Sequence, residues 1–203
     1  MKGLDPREGA RPQDRVPRAL DRPLRGTLTV IRRATNEDVD LLVGWHLDPE
    51  VARYWDGVTY TREEMLRDLA RPDVDPYIVE AEDLPIGYLQ AWFEDDLPGE
   101  AGLDMFLIPS ARGRGLGSDA ARTLGAWLQG TGGRERVTVD PYRSNEKAIR
   151  AWTRAGFRPV QERDADDEHT EPWLLMVLES EGIARGFRSP WDEEKRVDRL
   201  RYD

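Results

Sequence analysis

The chain has 203 residues, the size of one ordinary domain with short tails, and carries 40 acidic residues against 30 Lys and Arg, a net charge of −10. A phosphate backbone repels such a chain, so the charge argues against a nucleic-acid partner and favours a cationic ligand. The sequence has no cysteine and two histidines, which excludes disulfides, thiolate nucleophiles and Cys- or His-rich metal centres. No apolar run approaches the length of a membrane span, and the first residues contain no signal-peptide core. We therefore expect a cytoplasmic protein without a metal or a membrane anchor.

Two terminal segments differ in composition from the middle of the chain. Residues 1–25 are rich in proline and arginine without a periodic apolar face, which predicts a mobile arm. This arm is either an unstructured leader or a basic contact for an acidic partner. Residues 181–203 mix charges of both signs, and this tail either folds back, docks on a second subunit or stays disordered. The folded domain is expected over residues 26–180.

The segment between these tails alternates predicted strands and helices. The strands cover, in chain order, residues 27–33, 77–82, 86–93, 103–108, 136–139, 157–161 and 173–179, with a turn at 83–85. Helices are predicted over residues 35–46, from the capping box at 61–64, over 117–129 and over 144–155. This order predicts a mixed α/β domain.

The strongest local motif is LIPSARGRGLG at residues 107–117. A predicted strand ends there, glycines permit unusual backbone angles, and a helix begins. Backbone N–H groups at such a turn, together with the helix dipole, favour an anion, and Arg112 and Arg114 add positive charge. The alternative is a plain glycine-rich turn. A Walker loop is absent, and the third glycine of a dinucleotide fingerprint is replaced by Ser118.

The spacing of Arg112, Gly115 and Gly117 resembles the R-x-x-G-x-G pyrophosphate loop of the GNAT acetyltransferase superfamily. Downstream, residues 144–157 resemble the S-N-x-x-A-x-x-x-Y-x-x-x-G-F segment of the same superfamily. Two motifs in the right order are more specific than either alone. The resemblance covers residues 27–180. It implies a mostly antiparallel sheet flanked by helices and splayed between its fourth and fifth strands, with acetyl-CoA as the cofactor.

The resemblance also implies which residues hold acetyl-CoA. Pantetheine is expected along the exposed edge of the fourth strand, and the pyrophosphate on the glycine-rich loop. The backbone N–H near Phe106 or Leu107 is the implied donor to the thioester oxygen. The implied cofactor-binding residues are Phe106, Leu107, Ile108, Arg112, Gly113, Arg114, Gly115, Leu116, Gly117, Ser118, Asn145, Lys147 and Trp152.

Within the superfamily, the chain looks most like the aminoglycoside 6′-N-acetyltransferases. The similar stretches are residues 75–78, 85–90, 102–104 and 140–141. In that family the aspartate of the G-[IL]-D segment is the proposed catalytic base, which maps onto Asp104. A carboxylate within an apolar strand is costly unless it is paired or used. Asp104 is therefore either this base, taking a proton from the attacking amine, or a salt-bridged structural residue.

One position departs from the family pattern. The superfamily usually has tyrosine, as general acid for the departing thiolate, where this chain has Trp152. An indole N–H donates a hydrogen bond but is not a practical proton donor. The acid therefore stays unassigned, and Trp152 is either a cofactor contact or a packing residue. Because no cysteine is present to carry the acetyl group, we expect direct transfer in a ternary complex.

The distribution of charge indicates the nature of the acceptor. Residues 80–104 hold eight acids and no Lys or Arg, and residues 164–171 repeat the pattern. In the family fold both segments lie near the acceptor mouth, where carboxylates would hold and steer a small polycationic amine. Each acid alone is typical of a solvated loop, and the aromatic candidates are equally typical of a core. The substrate-binding candidates are Trp55, Tyr77, Trp92, Phe93, Glu94, Asp95, Asp104, Asp140, Asp166, Asp167 and Glu168.

These patterns favour acetyl transfer from acetyl-CoA to an aminoglycoside, at the 6′-amine, which would give antibiotic resistance. Alternatives within the fold are a kasugamycin-type aminosugar, a siderophore hydroxylysine, a polyamine or a protein amino group. A further alternative is a non-catalytic acyl-CoA-binding sensor, which Trp152 leaves open and Asp104 argues against. The protein is expected to be a monomer or a homodimer. His46, on a helix face, and His169, in a loop, receive no catalytic role.

Overall fold

Alternating apolar side chains in the centre of the chain build one eight-stranded sheet. It is seen in a computed structural model that describes residues 20–55, 57–97 and 99–179. The predicted arm up to residue 19 and the predicted tail from residue 181 lie outside the described residues. The strands are β1 (Leu24–Arg25), β2 (Val30–Arg33), β3 (Val74–Ala81), β4 (Leu84–Trp92), β5 (Glu100–Leu107), β6 (Arg136–Val139), β7 (Phe157–Arg163) and β8 (Trp173–Leu178).

The strand order is β1-β2-β3-β4-β5-β6-β8-β7. Strands β5 and β6 run parallel, and the other neighbouring pairs are antiparallel. The pairing of β5 with β6 covers only Glu100, Ala101 and Gly102, whereas β5 stays paired with β4 as far as Leu107. The two parallel strands therefore part after Gly102. This confirms the predicted fold class, a single mixed, mostly antiparallel sheet splayed between the predicted fourth and fifth strands.

Helices cover both faces of the sheet because successive strand residues point to opposite sides. Leu103 and Leu107 of β5 face a core shared with the helix at 116–129, whereas Phe106 belongs to a second core that includes Leu42 and Met65. None of the helices in the described ranges is long and apolar enough to cross a membrane. The helices are α1 (Val39–His46), α2 (Pro49–Ala52), α3 (Arg62–Leu69), α4 (Leu116–Gln129) and α5 (Glu146–Ala155).

The N-terminal boundary of the domain differs from the prediction. The composition predicts residues 20–25 to be part of the mobile arm, but Leu20 is buried in the core and Leu24 pairs with Ile31 as part of β1. The burial of Leu20 and the ladder between β1 and β2 fix this stretch, which the lack of a periodic apolar pattern concealed. The folded unit therefore begins at or before residue 20.

Several element ends also differ from the predictions. Glu82 and Asp83, with φ of 54° and 61°, form the turn between β3 and β4, and Leu84 already pairs with Ala81. A two-residue hairpin of this hand requires both residues in the left-handed region, so the predicted turn at 83–85 lies one residue too late. Strands β3 and β5 begin three residues earlier than predicted. Asn145, not Ser144, caps α5.

A buried carboxylate fixes the start of α4. The Asp119 side chain accepts hydrogen bonds from the backbone amides of Thr27, Leu28 and Thr29 at 2.9–3.1 Å, and from the Thr29 hydroxyl at 2.8 Å. Burial opposes ionisation, but these hydrogen bonds outweigh it and lower the pKa of Asp119. The turn between β1 and β2 is thereby tied to the first turn of α4, next to the glycine-rich loop.

Close packing across β4 and β5 places one aromatic ring. Gly102 pairs with Trp92, and a Cβ atom at Gly102 would lie 1.9 Å from Cε2 of the indole. Only glycine allows the ring this close, so Gly102 determines where the Trp92 indole lies.

Gly102→Ala should therefore displace the Trp92 indole and lower the free energy of unfolding by about 1–3 kcal/mol, the usual effect of overpacking. Urea denaturation measures the change. Gly44→Ala is the matched control, because a Cβ there meets nothing within 4 Å, and an exposed helical alanine should add about 0.5–1 kcal/mol. Equal stability of the two variants would contradict the packing argument.

Candidate active site

Two cavities meet where β5 and β6 part. One, of about 520 Å³, is called the acceptor cavity below, and the other, of about 610 Å³, the cofactor groove. Because they share lining residues, a ligand in one can touch a ligand in the other. The shared residues are Tyr54, Trp55, Met105, Asn145, Ala148 and Trp152.

The glycine-rich loop forms one end of the cofactor groove. Gly113 and Gly115 have φ of 78° and 81°, angles that side chains with a Cβ rarely adopt. Gly115 is the N-cap of α4 and supplies no side-chain hydrogen bond to the helix. The first backbone N–H groups of an α-helix have no partner within the helix, which favours an anion at this end, and Leu116, Gly117 and Ser118 of α4 line the groove.

The two arginines of this loop make ion pairs with distant carboxylates. The Nε of Arg112 donates to the backbone oxygen of Leu107 at 2.8 Å, and its Nη1 pairs with Glu50. Arg114 pairs with Glu82 at 2.7 Å and does not line the groove. Of the two arginines predicted to hold a phosphate, Arg112 therefore lines the groove and ties the loop to the end of β5, whereas Arg114 faces Glu82.

Helix α5 forms the opposite wall of the groove. The Oδ1 of Asn145 accepts the backbone N–H of Ala148 at 3.1 Å, which caps the helix. The hydroxyl of Ser118 donates to the backbone oxygen of Ala151 at 2.9 Å and joins α4 to α5. Trp152 is 6% exposed and packs edge-on against Phe157 at 5.3 Å.

Most of the predicted cofactor residues line this groove. Ile108 and Arg114 are the two that do not. Ile108 turns back to β4, where its N–H donates to the backbone oxygen of Ile86 at 3.0 Å. The predicted residues that line the groove are Phe106, Leu107, Arg112, Gly113, Gly115, Leu116, Gly117, Ser118, Asn145, Lys147 and Trp152.

The backbone of β5 presents one N–H to the gap at this point. Because the Ile108 N–H faces β4 and strand amides alternate in direction, the Leu107 N–H faces away from β4, into the gap. By the same alternation the Phe106 N–H faces β4. Of the two predicted donors to a thioester oxygen, the geometry favours Leu107.

A hydrogen-bonded chain orients Asp104 at the wall of the acceptor cavity. The Nε2 of Gln90 donates to the Oδ2 of Asp104 at 2.8 Å, and the Tyr88 hydroxyl donates to the Oε1 of Gln90 at 3.1 Å. The donation from Tyr88 fixes which end of the Gln90 amide faces Asp104. Burial and nearby negative charge raise the pKa of Tyr88, so its proton stays in place.

The acceptor cavity carries an excess of negative charge. Five carboxylates line it, against one arginine and one histidine. Its aromatic walls include Trp92 and Phe93, the second of which stacks under the guanidinium of Arg134 at 4.7 Å. The carboxylates are those of Asp73, Glu94, Asp104, Asp140 and Glu168.

Four predicted substrate residues lie outside this cavity. Tyr77 is completely buried in the core, because its position on β3 points into the sheet packing. Asp95 and Asp167 are exposed on the surface and do not line the cavity. Asp166 accepts hydrogen bonds within its own loop. The predicted residues that do line the cavity are Trp55, Trp92, Phe93, Glu94, Asp104, Asp140 and Glu168.

Several lining residues carried no assigned role in the sequence. Gln90 lies in residues 85–90, one of the stretches that resemble the aminoglycoside 6′-N-acetyltransferases, and this signal could have placed it near Asp104. Asp73 and Arg71 precede β3 and pair with each other at 2.5 Å. His169 was assigned only to a loop. No group of three or more potential metal ligands occurs in the part of the chain that the structure describes.

The two histidines lie in opposite environments. His46 is 1% exposed among aromatic rings, with Nδ1 2.8 Å from the backbone oxygen of Leu42, and burial lowers its pKa. His169 faces Asp140, 3.5 Å from Nε2, and Asp166, 2.9 Å from Nδ1. These carboxylates raise the pKa of His169 to about 9. The acceptor cavity therefore contains an imidazolium at neutral pH.

Comparison with known families agrees with this geometry. A model of the acetyltransferase (GNAT) domain matches residues 34–165, well over half of the chain. The chain therefore belongs to the GNAT family and is an acetyl-CoA-dependent N-acetyltransferase. The predicted family and cofactor are confirmed.

The chain is also similar to individual proteins whose names state an activity. The chain is 30% identical over 145 residues to aminoglycoside N(6′)-acetyltransferase type 1 of Klebsiella pneumoniae, covering 63% of this chain and 72% of that protein. It is similar to AAC(6′)-Ib in complex with paromomycin and acetyl-CoA, with a TM-score of 0.68 and 27% identity over 79% of this chain and 98% of the other. AAC(6′)-Ib with coenzyme A and kanamycin gives a TM-score of 0.67 and 27% identity over 78% and 98%.

The groove residues fit coenzyme A. The left-handed glycines and the uncapped α4 amides suit a pyrophosphate. Gly117 faces Met105 so closely that a Cβ there would lie 3.1 Å from its Cε, which keeps the loop near β5. Five basic residues line the groove against two acids, as a polyphosphate requires. The basic residues are Arg53, Arg112, Lys147, Arg150 and Arg154.

Gln90→Glu should move the acidic limb of the pH–rate profile to higher pH, on the order of one pH unit, because two adjacent carboxylates hold a proton between them. The profile of kcat/KM for acetyl transfer measures it. Gln161→Glu, on the exposed strand β7, should leave the profile unchanged. An unmoved profile in Gln90→Glu would show that Asp104 does not control the rate.

The two imidazoles should titrate on opposite sides of 6.5, with His169 near pH 9, in an NMR titration. Because the folded pKa of His169 exceeds the unfolded value, its proton stabilises the fold fully below about pH 6.5, and this contribution is lost as pH rises through 9. His169→Gln should therefore cost more stability at about pH 6 than at about pH 10 in urea denaturation. Equal losses at both pH values would contradict the assignment.

Proposed function

We propose that this enzyme transfers the acetyl group of acetyl-CoA to the 6′-amine of an aminoglycoside antibiotic, by direct attack in a ternary complex, and so gives resistance. One observation carries the proposal. A basic cofactor groove and an acidic, aromatic acceptor cavity open into each other beside Asp104. Relatives named as aminoglycoside acetyltransferases support the choice of acceptor.

The cofactor groove holds and orients coenzyme A. Amides of the glycine-rich loop and of the first turn of α4 bind the pyrophosphate, while Asn145 and Lys147 contact the cofactor from α5. When bound, acetyl-CoA supplies an activated acetyl thioester. The Leu107 N–H donates to the thioester oxygen, where negative charge develops during attack. The unpaired edge of β5 thus acts as both binding surface and oxyanion donor.

Asp104 acts as the general base. An ammonium group must lose a proton before its nitrogen can attack, and a carboxylate at the cavity wall can accept that proton directly or through one water. Gln90 donates a hydrogen bond to the Oδ2 of Asp104, which orients the carboxylate at the wall of the acceptor cavity. No cysteine occurs in the sequence, so the amine attacks the thioester without an acetyl-enzyme.

Trp152 packs between the two cavities and does not donate a proton. Its burial and its contact with Phe157 favour a role in closing the wall where the thioester meets the amine. The chain needs no general acid at this position, because a coenzyme A thiolate would be a good leaving group and could take its proton from water.

Charge and shape select the acceptor. Five carboxylates around one cavity suit a ligand with several ammonium groups, and they attract it from solution. The aromatic walls suit the apolar faces of sugar rings. An aminoglycoside combines both properties, whereas a linear polyamine supplies only the charge.

Asp104→Asn should reduce kcat about 10²–10⁴-fold, the usual contribution of a general base, with the Kd of coenzyme A nearly unchanged. Steady-state kinetics and calorimetry measure the two quantities. Asp96→Asn removes a carboxylate from the same acidic segment, outside the cavity, and should behave like the unmodified enzyme. Equal loss of turnover and cofactor binding in Asp104→Asn would assign it a structural role.

A thiol-release assay with kanamycin, spermidine and a hydroxylysine-type siderophore precursor tests the acceptor. Kanamycin should give the highest kcat/KM, and NMR of the product should show the acetyl group on the 6′-nitrogen. Preference for spermidine or for the siderophore precursor would overturn the proposed substrate. Tight binding of coenzyme A with no turnover of any amine would indicate a sensor instead.

A further inference from the structure

His169 lies in a cluster at one end of the acceptor cavity. Its ring stacks on Trp173, with centroids 4.1 Å apart and planes at 16°. Its Nδ1 is 2.9 Å from the Oδ1 of Asp166, and its Nε2 is 3.5 Å from the Oδ2 of Asp140. With a carboxylate at each ring nitrogen, both nitrogens serve as donors, and the ring is an imidazolium.

Asp166 holds this ring in place. Besides His169, its carboxylate accepts the backbone N–H groups of Glu168 and His169 at 2.9 and 2.8 Å, and the indole N–H of Trp173 at 3.1 Å. Three of these donors come from its own loop and one from β8, so the Asp166 carboxylate is engaged mainly with the protein itself. Asp140, by contrast, lines the cavity, and its carboxylate approaches the Nε2 of His169.

The elements packed around His169 place two carboxylates at its ring nitrogens. The end of β6 supplies Asp140, and the loop before β8 supplies Asp166. Glu168 also lines the cavity. The ring of Tyr142 lies edge-on at 6.1 Å. Strand β7 contributes Arg163, whose guanidinium lies 4.9 Å from the Trp173 ring.

We propose that His169 is a specificity-determining residue: its imidazolium occupies one ammonium position of the acceptor cavity, so an acceptor ammonium has to compete with it for Asp140. The proposal rests on the proposed function for the identity of the acceptor. The cavity then discriminates between amines by the number and placement of their charges. A ligand with an ammonium group near Asp140 meets a resident cation there, and a ligand without one does not.

The proposed competition predicts the direction in which the affinity for a polycation changes when His169 is replaced. Removing the charge of His169 frees Asp140 and should tighten the binding of a polycation by about fivefold, which corresponds to the upper end measured for exposed ion pairs. Keeping a cation at the position should preserve the competition. If His169 only ordered its loop, any substitution would weaken binding regardless of charge.

The test compares His169→Gln with His169→Arg by calorimetry. His169→Gln should lower the Kd of kanamycin about fivefold, while His169→Arg should leave it near the unmodified value. Glucosamine, with a single amine, should respond less, and the KM of acetyl-CoA should not change in either variant. The same change in both variants, or weaker binding in both, would overturn the proposal.

A second measurement uses the unmodified enzyme, in which only two histidines occur. Saturating kanamycin should lower the pKa of His169 in an NMR titration, because a second cation approaches Asp140, while His46 serves as the internal control. Spermidine is titrated in the same way. The proposal would be overturned if the pKa of His169 stayed unchanged with both polycations, or if neither polycation bound.

These outcomes are separable from the proposed function. If kanamycin binds and lowers the pKa of His169 but is not acetylated in the thiol-release assay, the proposed substrate is wrong while the competition stands. If kanamycin is acetylated but the pKa of His169 stays unchanged on binding, the proposed function stands and the competition is wrong.

Discussion

Strands β5 and β6 run parallel yet stay paired over only three residues, and the functional features lie where they part. Beyond Gly102, β5 keeps its hydrogen bonds to β4 and leaves its other edge to the gap. The Leu107 N–H therefore faces the gap without a strand partner there. The parting also opens the two cavities into each other, which lets a thioester and an amine meet. The other parts of the site lie around the stretch of β5 that has no hydrogen bonds to β6.

Charge is divided between the two sides of the gap. The cofactor groove is lined mainly by basic residues and by helix amides, whereas five carboxylates line the acceptor cavity. The acidic side also contains its own cations. Arg71 is paired with Asp73, and His169 faces Asp140 and Asp166. A cavity with resident cations distinguishes among polycations, where carboxylates alone would attract them all.

The parts of this fold that depend on neighbouring residues could be predicted from the sequence. Gly113 and Gly115 sit in left-handed backbone that their identity anticipates, and Asp104 stands out as a charge within an apolar strand. The ion pairs of Arg112 and Arg114 could not be predicted, because their partners lie 62 and 32 residues away along the chain.

The same limit explains the errors in the acceptor site. Counting acids located the negative segments but could not show which ones face inward. Asp166 bonds within its own loop, whereas Asp73, outside the counted segments, lines the cavity. Tyr77 belonged to a family-like stretch, yet strand alternation points it into the core. The boundary at residues 20–25 was also missed, because a two-residue strand leaves little periodic signal.

Residue-resolved amide hydrogen exchange in the presence of coenzyme A tests most directly that the parted strands form the site. Coenzyme A should slow exchange at the amides of residues 113–118 and at Leu107, which faces the gap, and should affect Phe106 less because its N–H is already bonded to β4. Kanamycin alone should leave the 113–118 amides unprotected. Coenzyme A binding without protection at Leu107 and the loop would contradict the account.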